Sequence, residues 1–152
     1  MRPRADSMKT ILILIVLLIL AAVGGLFYLG QKSSDGAPPG LVEGRLAACP
    51  SSPNCVSSEA GTTTSQVVEP LPLASWSRIP SVITDLGGTV TRQDRDYIAA
   101  EFTSSLFRFT DDVEFRRAGD AVHVRSASRV GHSDMGANRE RVESLREALD
   151  GG

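Results

Sequence analysis

The segment formed by residues 125–141 concentrates the side chains of this chain that are best suited to chemistry. Its arginines can bind carboxylates or phosphates in bidentate geometry, which a lysine cannot do. Backbone N–H groups at the start of a helix would add to such a site. We therefore take an anion-binding pocket as the first hypothesis. The charged and amide-bearing residues of the segment include Arg125, Arg129, His132, Asp134, Asn138, Arg139 and Arg141.

The same segment holds the residue types of a hydrolase triad. His132 would act as the base, a neighbouring serine as the nucleophile and an aspartate as the orienting acid. The chain has no Gly-x-Ser-x-Gly elbow to expose such a serine. An envelope hydrolase is therefore the alternative to a non-catalytic binding function. Its candidate residues beside His132 are Ser126, Ser128, Ser133, Asp134, Asp111 and Asp112.

An acidic segment just upstream offers a third, structural interpretation. Asp111, Asp112 and Glu114 can pair with the arginines and so fix the last strands to the final helix. With Asp134 they also offer oxygen ligands, but their spacing matches no calcium-binding loop. We predict no metal site and no cofactor. The residues predicted to bind a ligand are Arg125, Arg129, Asp134, Asn138, Arg139, Asp111, Asp112 and Glu114.

The overall charge limits the possible partners. The 152 residues include 16 Lys and Arg against 18 Asp and Glu, a formal net charge of -2. A domain that binds nucleic acid is normally basic because it neutralises phosphates. Nucleic acid is therefore excluded as a partner, which leaves a membrane, an anionic small ligand or an envelope protein.

Residues 10–30 contain no charged side chain and are mostly Ile, Leu, Val, Ala and Gly. At about 1.5 Å per residue, a helix of this length spans a hydrocarbon core of about 30 Å. The positive-inside rule predicts that residues 1–9 lie in the cytoplasm and that a single-pass anchor in the inner membrane carries a periplasmic domain. A signal peptide cut near Ala21-Ala22 is the alternative. The cations that precede the run are Arg2, Arg4 and Lys9, and Lys32 follows it.

Two features separate this anchor from the rest of the chain. Residues 31–45 are rich in Gly, Pro and Ser and predict a flexible tether. Cys49 and Cys55 are the only cysteines, and an even count in an oxidising compartment favours a disulfide. Such a short ring would contribute roughly 2 kcal/mol. Free thiols or a metal site are the alternatives.

Residues 46–150 carry the pattern of an α+β domain. Apolar residues between Leu73 and Leu86 recur at helical spacing, and Gly87-Gly88 ends this helix. A second helical stripe contains Met135, Asn138, Val142, Leu145 and Leu149. We expect a curved antiparallel sheet of four to five strands with two helices on one face, preceded by the transmembrane helix. The predicted strands are residues 62–69, 89–93, 97–109, 113–117 and 121–130.

Alternation within the last two predicted strands brings opposite charges together. Arg125 and Arg129 share one face of the final strand, and Asp112 and Glu114 share one face of the strand before it. If the two strands form a hairpin about Gly119, the acidic row lies beside the basic row. The segment 125–141 then joins a strand with two co-facing arginines to an amphipathic helix.

Three motifs occur in order along this domain: Cys49-Pro-Ser-Ser-Pro-Asn-Cys-Val-Ser-Ser58, Asp111-Asp-Val-Glu-Phe115, and Arg125-Ser-Ala-Ser-Arg-Val-Gly131 continuing into Ser133-Asp-Met-Gly-Ala-Asn-Arg139. With them, residues 46–149 resemble a bacterial and plastid family known as domain of unknown function 1499. The resemblance implies a small domain that often follows a membrane segment or export signal, and it implies no particular activity. The family commonly has an aromatic residue, usually Tyr, where this chain has His132, which argues against His132 as an essential base.

Overall fold

A long apolar helix precedes the folded domain in the computed structural model, which describes residues 5–151. Helix α1 spans Ala5–Ser34, and residues 7–29 within it are exposed. With a mean hydropathy of 3.0 it is long and apolar enough to cross a membrane, although a signal sequence has the same properties. Arg2 and Arg4, on which the predicted orientation depends, lie outside the described residues.

The domain is built on one antiparallel sheet of six strands. A separate hairpin consists of β1 (Leu41–Val42) and β2 (Arg45–Leu46). The sheet strands are β3 (Cys55–Ser57), β4 (Leu71–Pro72), β5 (Thr89–Gln93), β6 (Tyr97–Thr103), β7 (Thr110–Ala118) and β8 (Ala121–Ser128). Their order is β3, β8, β7, β6, β5, and β4 pairs with the other end of β8.

Two helices pack on one face of this sheet, as predicted. A 3-10 turn at Leu73–Arg78 leads into α2 (Ile79–Asp85), and Gly87, with φ of 82°, ends the helix. Helix α3 spans Ala137–Asp150. The helices and the sheet enclose a single apolar core, whose fully buried residues include Ile79, Ile83, Ile98, Val113, Phe115, Val122, Val124, Val142 and Leu145. The α+β prediction is confirmed.

The opposite face of the sheet is covered by the chain that follows α1. Leu46 of β2 is buried against Tyr97 and Ala99 of β6. The N–H of Gly40 donates to the carboxylate of Glu114 at 2.9 Å. Here the structure differs from the expected flexible tether at residues 31–45, because helix α1 continues through Ser34 and the later residues contact the sheet.

Strand boundaries around residues 97–113 differ from the prediction. Strand β6 ends at Thr103, and a turn closed by the Ser104 N–H and the Phe109 carbonyl at 2.8 Å follows. Residues 110–112 were expected to connect strands, yet they begin β7, where Asp112 pairs with Glu101. The carboxylate of Asp112 has a buried arginine partner, so it can occupy a strand that its intrinsic preference disfavours.

The strand predicted at residues 62–69 does not form. Only an isolated bridge joins Ser57 to Val67, and the edge of the sheet is made instead by β3 and β4. The hydroxyl of Thr62 donates to the carbonyl of Glu59 at 2.7 Å, and that of Thr63 donates to Gln66 at 2.8 Å. Local side-chain bonds of this kind favour turns over strands, and they outweigh the β-branched composition.

The start of the last helix also differs from the prediction. Met135 was placed on the buried stripe, but it precedes α3, has a φ of 55° and is 97% exposed. The rest of the stripe, Asn138, Val142, Leu145 and Leu149, is buried. Asp134 sets the start of the helix, because its carboxylate accepts the N–H groups of Gly136 at 3.1 Å and Asn138 at 2.8 Å.

Candidate functional site

The predicted pairing of acidic and basic rows is present on the face of the sheet that α2 and α3 leave open. Strands β7 and β8 pair so that Glu114 lies opposite Arg125. Glu114 is 0% exposed, and it accepts the Tyr97 hydroxyl at 2.7 Å and Arg125 Nη1 at 3.1 Å. Burial raises the pKa of Glu114, while these donors and the Gly40 N–H act in the opposite direction. Arg125 Nε is buried without a hydrogen-bond partner.

Arg129 connects the sheet to the end of the apolar helix. Its Nε and Nη2 donate to the two carboxylate oxygens of Asp112 at 3.0 and 2.7 Å, and Nη2 also contacts Glu101. Its Nη1 donates to the carbonyl of Ser33, in the last turn of α1, at 3.0 Å. The hydrogen bonds to Asp112 raise the pKa of Arg129 despite its burial. A permanent positive charge therefore lies at the C-terminus of α1, where the helix dipole favours it.

The contact between α1 and the domain extends beyond Arg129. The hydroxyl of Ser33 accepts the N–H of Thr110 at 2.9 Å. Gly30 packs directly on the carbonyl of Phe107, where a Cβ atom would collide with that oxygen. The rings of Phe27 and Phe107 meet edge to face with centroids 5.3 Å apart. Phe27, Gly30 and Ser33 recur every three residues, so one stripe of α1 makes the contact.

A second ion-pair cluster surrounds Glu59. Its carboxylate accepts Arg116 at 2.8 and 3.0 Å, Arg45 at 3.1 and 3.0 Å and the N–H of Leu46 at 3.1 Å. Burial alone would raise the pKa of Glu59, but Arg116, the Leu46 N–H and Arg45 together lower it to about 2. The cluster joins the β1–β2 hairpin to β7.

A third polar cluster lies at the start of α3. The fully buried side chain of Asn138 donates to the Asn54 carbonyl at 3.1 Å and accepts the Ser126 hydroxyl at 2.6 Å. Arg141 donates to Asn138 Oδ1 and to Asp111, both at 2.7 Å. Burial would raise the pKa of Asp134, but the N–H groups that it accepts lower it. This cluster fixes α3 to β8 and to the chain before β3.

The hydrolase triad is not assembled at residues 126–134. The hydroxyl of Ser126 donates to Asn138, that of Ser128 accepts from Asn138 at 3.0 Å, and that of Ser133 accepts the N–H of Met135 at 3.3 Å. His132 is exposed, and no hydrogen bond joins it to these serines in the described chain. Within residues 5–151, no group of three or more His, Cys, Asp and Glu side chains is arranged to hold a metal ion.

Two cavities lie near these clusters. The first, of about 270 Å³, is bounded by the turn after β6, the end of β8 and the start of α3. Among its lining residues are Ser104, Phe109, Asp111, Ser128, Ser133 and Asp134. The second, of about 360 Å³, lies beside the Cys49–Cys55 disulfide and includes Arg45, Glu59 and Gln66 in its lining. The predicted disulfide is thus present.

The model of a protein family of unknown function, DUF1499, matches residues 45–149. The chain belongs to this family. No curated protein matches the sequence. The crystal structure of the vertebrate conserved region of human METTL16 is similar at 11% identity over 60% of this chain and 77% of that one, with a TM-score of 0.38. So low a score carries no argument about fold or function.

The three motifs that carried the family resemblance lie close together in the structure. In this DUF1499 chain the Asn54 side chain donates to the Gly131 carbonyl at 2.7 Å, and the Asn54 carbonyl accepts the N–H of Ser128 at 3.0 Å. The first and third motifs therefore meet. Asp112 of the second motif binds Arg129 of the third, and Asp111 binds Arg141, two residues beyond the third motif. Arg139 alone among the predicted arginines binds no carboxylate, and it donates to the carbonyls of Ser65 and Val67.

Several residues of these clusters were not predicted from the DUF1499 sequence. Ser33, Glu59, Tyr97 and Glu101 each bind one of the charged side chains discussed above. Glu59 directly follows the first motif, which was the one available signal. Ser33 lay in a segment expected to be a free tether, so no pattern indicated its contact with Arg129.

Proposed function

We propose that this DUF1499 protein is a single-pass membrane protein whose extracytoplasmic domain binds a small ligand or a protein partner without catalysis. The observation that carries the proposal is the attachment of the domain to the apolar helix through Ser33, Arg129 and Thr110. A domain fixed in this way presents the same surface to the membrane at all times. The first cavity then lies close to the end of α1. Two of its lining residues, Ser104 and Phe109, are the first and last residues of the turn that contacts this helix.

Retention of the helix is favoured over cleavage. A cut after Ala22 would leave Val23, Leu26, Phe27 and Leu29 on the surface of a secreted domain, and all four are exposed. A bilayer would cover these side chains, whereas water would not. The disulfide supports an oxidising compartment for the domain.

The ion pairs within the domain argue against the anionic ligand that the sequence predicted. Arg125, Arg129 and Arg141 each bind a carboxylate of the domain, so they do not offer free charge to an anion. The first cavity is lined by serine hydroxyls and apolar atoms, while its two carboxylates, Asp111 and Asp134, already bind Arg141 and backbone N–H groups. It suits a small molecule that presents hydrogen-bond donors beside an apolar part.

Native mass spectrometry of the full chain, purified from its own membranes in nanodiscs, tests the binding function. We expect a bound small molecule that Ala137→Phe removes, because Ala137 lines the first cavity and a larger side chain would fill it. Ala60→Phe, which fills the second cavity, is the matched control. If only Ala60→Phe removes the molecule, the binding site is the second cavity, beside the disulfide. A wild-type protein with no bound molecule would contradict ligand binding.

A further inference from the structure

We propose that the turn at residues 104–109 is a lipid-contacting element, in which Leu106 and Phe107 enter the outer interface of the bilayer while Lys32 and Arg108 bind phosphate groups of phospholipids. The inference rests on the proposed function, since it requires α1 to span the membrane. It adds a defined surface and a defined partner, which anchoring alone does not imply.

The depth of the turn follows from its contact with α1. Phe107 touches Phe27 and lies against Gly30. Both helix residues belong to the uncharged run of residues 10–30, whose length matches the hydrocarbon core. The backbone of Phe107 therefore lies at the level of the last membrane-embedded turn of the helix. The tip of the loop cannot lie far out in water while this contact is made.

The exposed side chain at this tip is apolar. Leu106 is 66% exposed, and it directly precedes Phe107, whose ring also contacts Phe109 at 6.2 Å between centroids. Leu26 and Leu29, which adjoin Phe27 and Gly30 in the sequence of α1, are also exposed. A lone exposed leucine on a protein is unremarkable, but one at the depth of a membrane helix faces lipid.

Two cations flank this apolar tip. The side chains of Lys32 and Arg108 are exposed, and neither has a carboxylate partner among the described residues. Both differ in this respect from Arg125, Arg129 and Arg141, which are paired. Long basic side chains at a membrane boundary extend to the headgroups and bind anionic phosphates. Asp35 is the acid close by on the chain and offsets only part of this charge.

The backbone of Arg108 is in the left-handed region, with a φ of 61°. A residue with a Cβ atom adopts this conformation at a cost, so the surrounding contacts must hold it there. Those contacts are the Ser104 hydroxyl, which accepts the Phe109 N–H at 2.9 Å, and the Ser33 hydroxyl, which accepts the Thr110 N–H at 2.9 Å and donates to the Gly30 carbonyl at 2.6 Å. The turn is thus held in the shape that brings its apolar tip against α1.

Depth-dependent quenching of a probe tests the proposal on the full chain. The native cysteines form a disulfide, so Leu106→Cys can be labelled alone with an environment-sensitive NBD fluorophore. Asp120→Cys, in the exposed turn at the far end of the β7–β8 hairpin, is the matched control. Both are reconstituted in phosphatidylcholine vesicles, with or without phosphatidylglycerol, that contain a doxyl-labelled lipid as quencher.

We expect the label at position 106 to be quenched and blue-shifted and the label at position 120 to be unaffected. Phosphatidylglycerol should increase quenching at position 106. In the vesicles that contain phosphatidylglycerol, the double variant Lys32→Gln with Arg108→Gln should lower the ratio of inserted to water-exposed label by about thirtyfold. Arg95→Gln, which removes an exposed arginine near the far end of the domain, should leave that ratio unchanged.

Each contrary result has a distinct meaning. The protein can resist carbonate extraction while the label at position 106 is as exposed to water as the label at position 120. This result would contradict the lipid contact but not the membrane anchor. Protein that is released by carbonate would overturn the anchor itself. Quenching at position 106 that changes neither with phosphatidylglycerol nor in the double variant would contradict the headgroup contact. If the label is protected from water in native membranes but not in vesicles, the surface binds a protein partner instead.

Discussion

Arg129 contacts two strands of the sheet and the last turn of the apolar helix α1. It binds Asp112 and Glu101 on the sheet and the carbonyl of Ser33 on α1. Its neighbour in the same row, Arg125, binds only Glu114. The two arginines were predicted as equals, but they differ because one reaches the anchor and the other remains inside the domain.

Arg129→Gln is expected to lower the free energy of unfolding by about 3–5 kcal/mol, because it leaves the buried carboxylate of Asp112 without its partner. Thermal unfolding of the full chain in detergent measures this change. The double variant Arg129→Gln with Asp112→Asn should recover part of the loss, since position 112 then carries no unpaired buried charge. Arg95→Gln is the control and should change stability by less than about 0.5 kcal/mol. Equal effects of Arg129→Gln and Arg95→Gln would contradict the assignment.

Glu59 predicts how stability depends on pH. Its pKa is about 2 in the folded chain against an ordinary value of 4.5, so its stabilising effect is complete above about pH 4.5 and is lost as the pH falls toward 2. Glu59→Gln should therefore cost about 3 kcal/mol at neutral pH, and its difference from wild type should shrink over that interval. Unfolding measured across this pH range tests the prediction. Glu143→Gln, which removes an exposed ion pair, should show no such trend.

Residue-level prediction succeeded where one strand faces another. The alternation of side chains was enough to place Arg125 beside Glu114. It could not reveal Glu59 or Ser33, because periodicity shows which face a side chain occupies but not which distant segment covers that face. The hydrolase triad was predicted wrongly for a related reason. Periodicity did not show that the Ser126 hydroxyl forms a hydrogen bond with the Asn138 side chain inside the fold.

At the scale of elements, the contact between α1 and the turn after β6 depends on a glycine. Any side chain at position 30 would collide with the carbonyl of Phe107. Gly25, five residues earlier in the same helix, has nothing within 4 Å of the position that a Cβ would occupy. The two glycines therefore provide a matched pair, in which helix propensity is the same and only the contact differs.

Gly30→Leu is expected to separate α1 from the domain and so remove the hydrogen bond between the Thr110 N–H and Ser33. Hydrogen exchange at Thr110, measured on the full chain in nanodiscs, should become about tenfold faster or more. Gly25→Leu should leave that exchange unchanged. Unaltered exchange in Gly30→Leu would show that the helix does not hold this strand.

The elements themselves were predicted unevenly. The end of helix α2 at Gly87 followed from spacing and a positive-φ glycine, but the start predicted at Leu73 was wrong, because residues 73–78 form a 3-10 helix and α2 begins at Ile79. Met135 was wrongly placed on the buried stripe of α3, because it precedes the helix in a left-handed conformation, next to Asp134, which accepts the N–H groups of Gly136 and Asn138. The strand expected at residues 62–69 failed because local hydroxyl bonds compete with strand pairing.

For the whole molecule, the disulfide closes the loop that carries the first motif. Replacement of both Cys49 and Cys55 by Ala is expected to lower stability by roughly 2 kcal/mol, the value for so short a ring. The fold should survive, because Gln66 donates to the carbonyls of Pro50 and Ser52 at 2.9 Å and Asn54 remains bound to Gly131. Thermal unfolding measures the loss, and complete unfolding of the variant would contradict it.

The α+β architecture and the apolar helix were accessible from the sequence because both depend on repeating patterns of apolar residues. The relation between the two parts was not, since composition at residues 31–45 indicated only flexibility. The domain is joined to its helix by particular contacts of Gly30, Ser33 and Arg129, and no periodicity encodes them. The domain is therefore fixed on helix α1 through these contacts.

Cysteine crosslinking in native membranes tests this claim most directly. Phe27→Cys with Phe107→Cys, whose native rings are 5.3 Å apart between centroids, should be joined within one chain by a short thiol-reactive crosslinker. Phe27→Cys with Asp120→Cys should not be joined, because position 120 lies at the far end of the β7–β8 hairpin. Adding Gly30→Leu should abolish the first crosslink. Equal yields for the two pairs, or none for either, would show that the domain moves freely on its helix and would contradict the account.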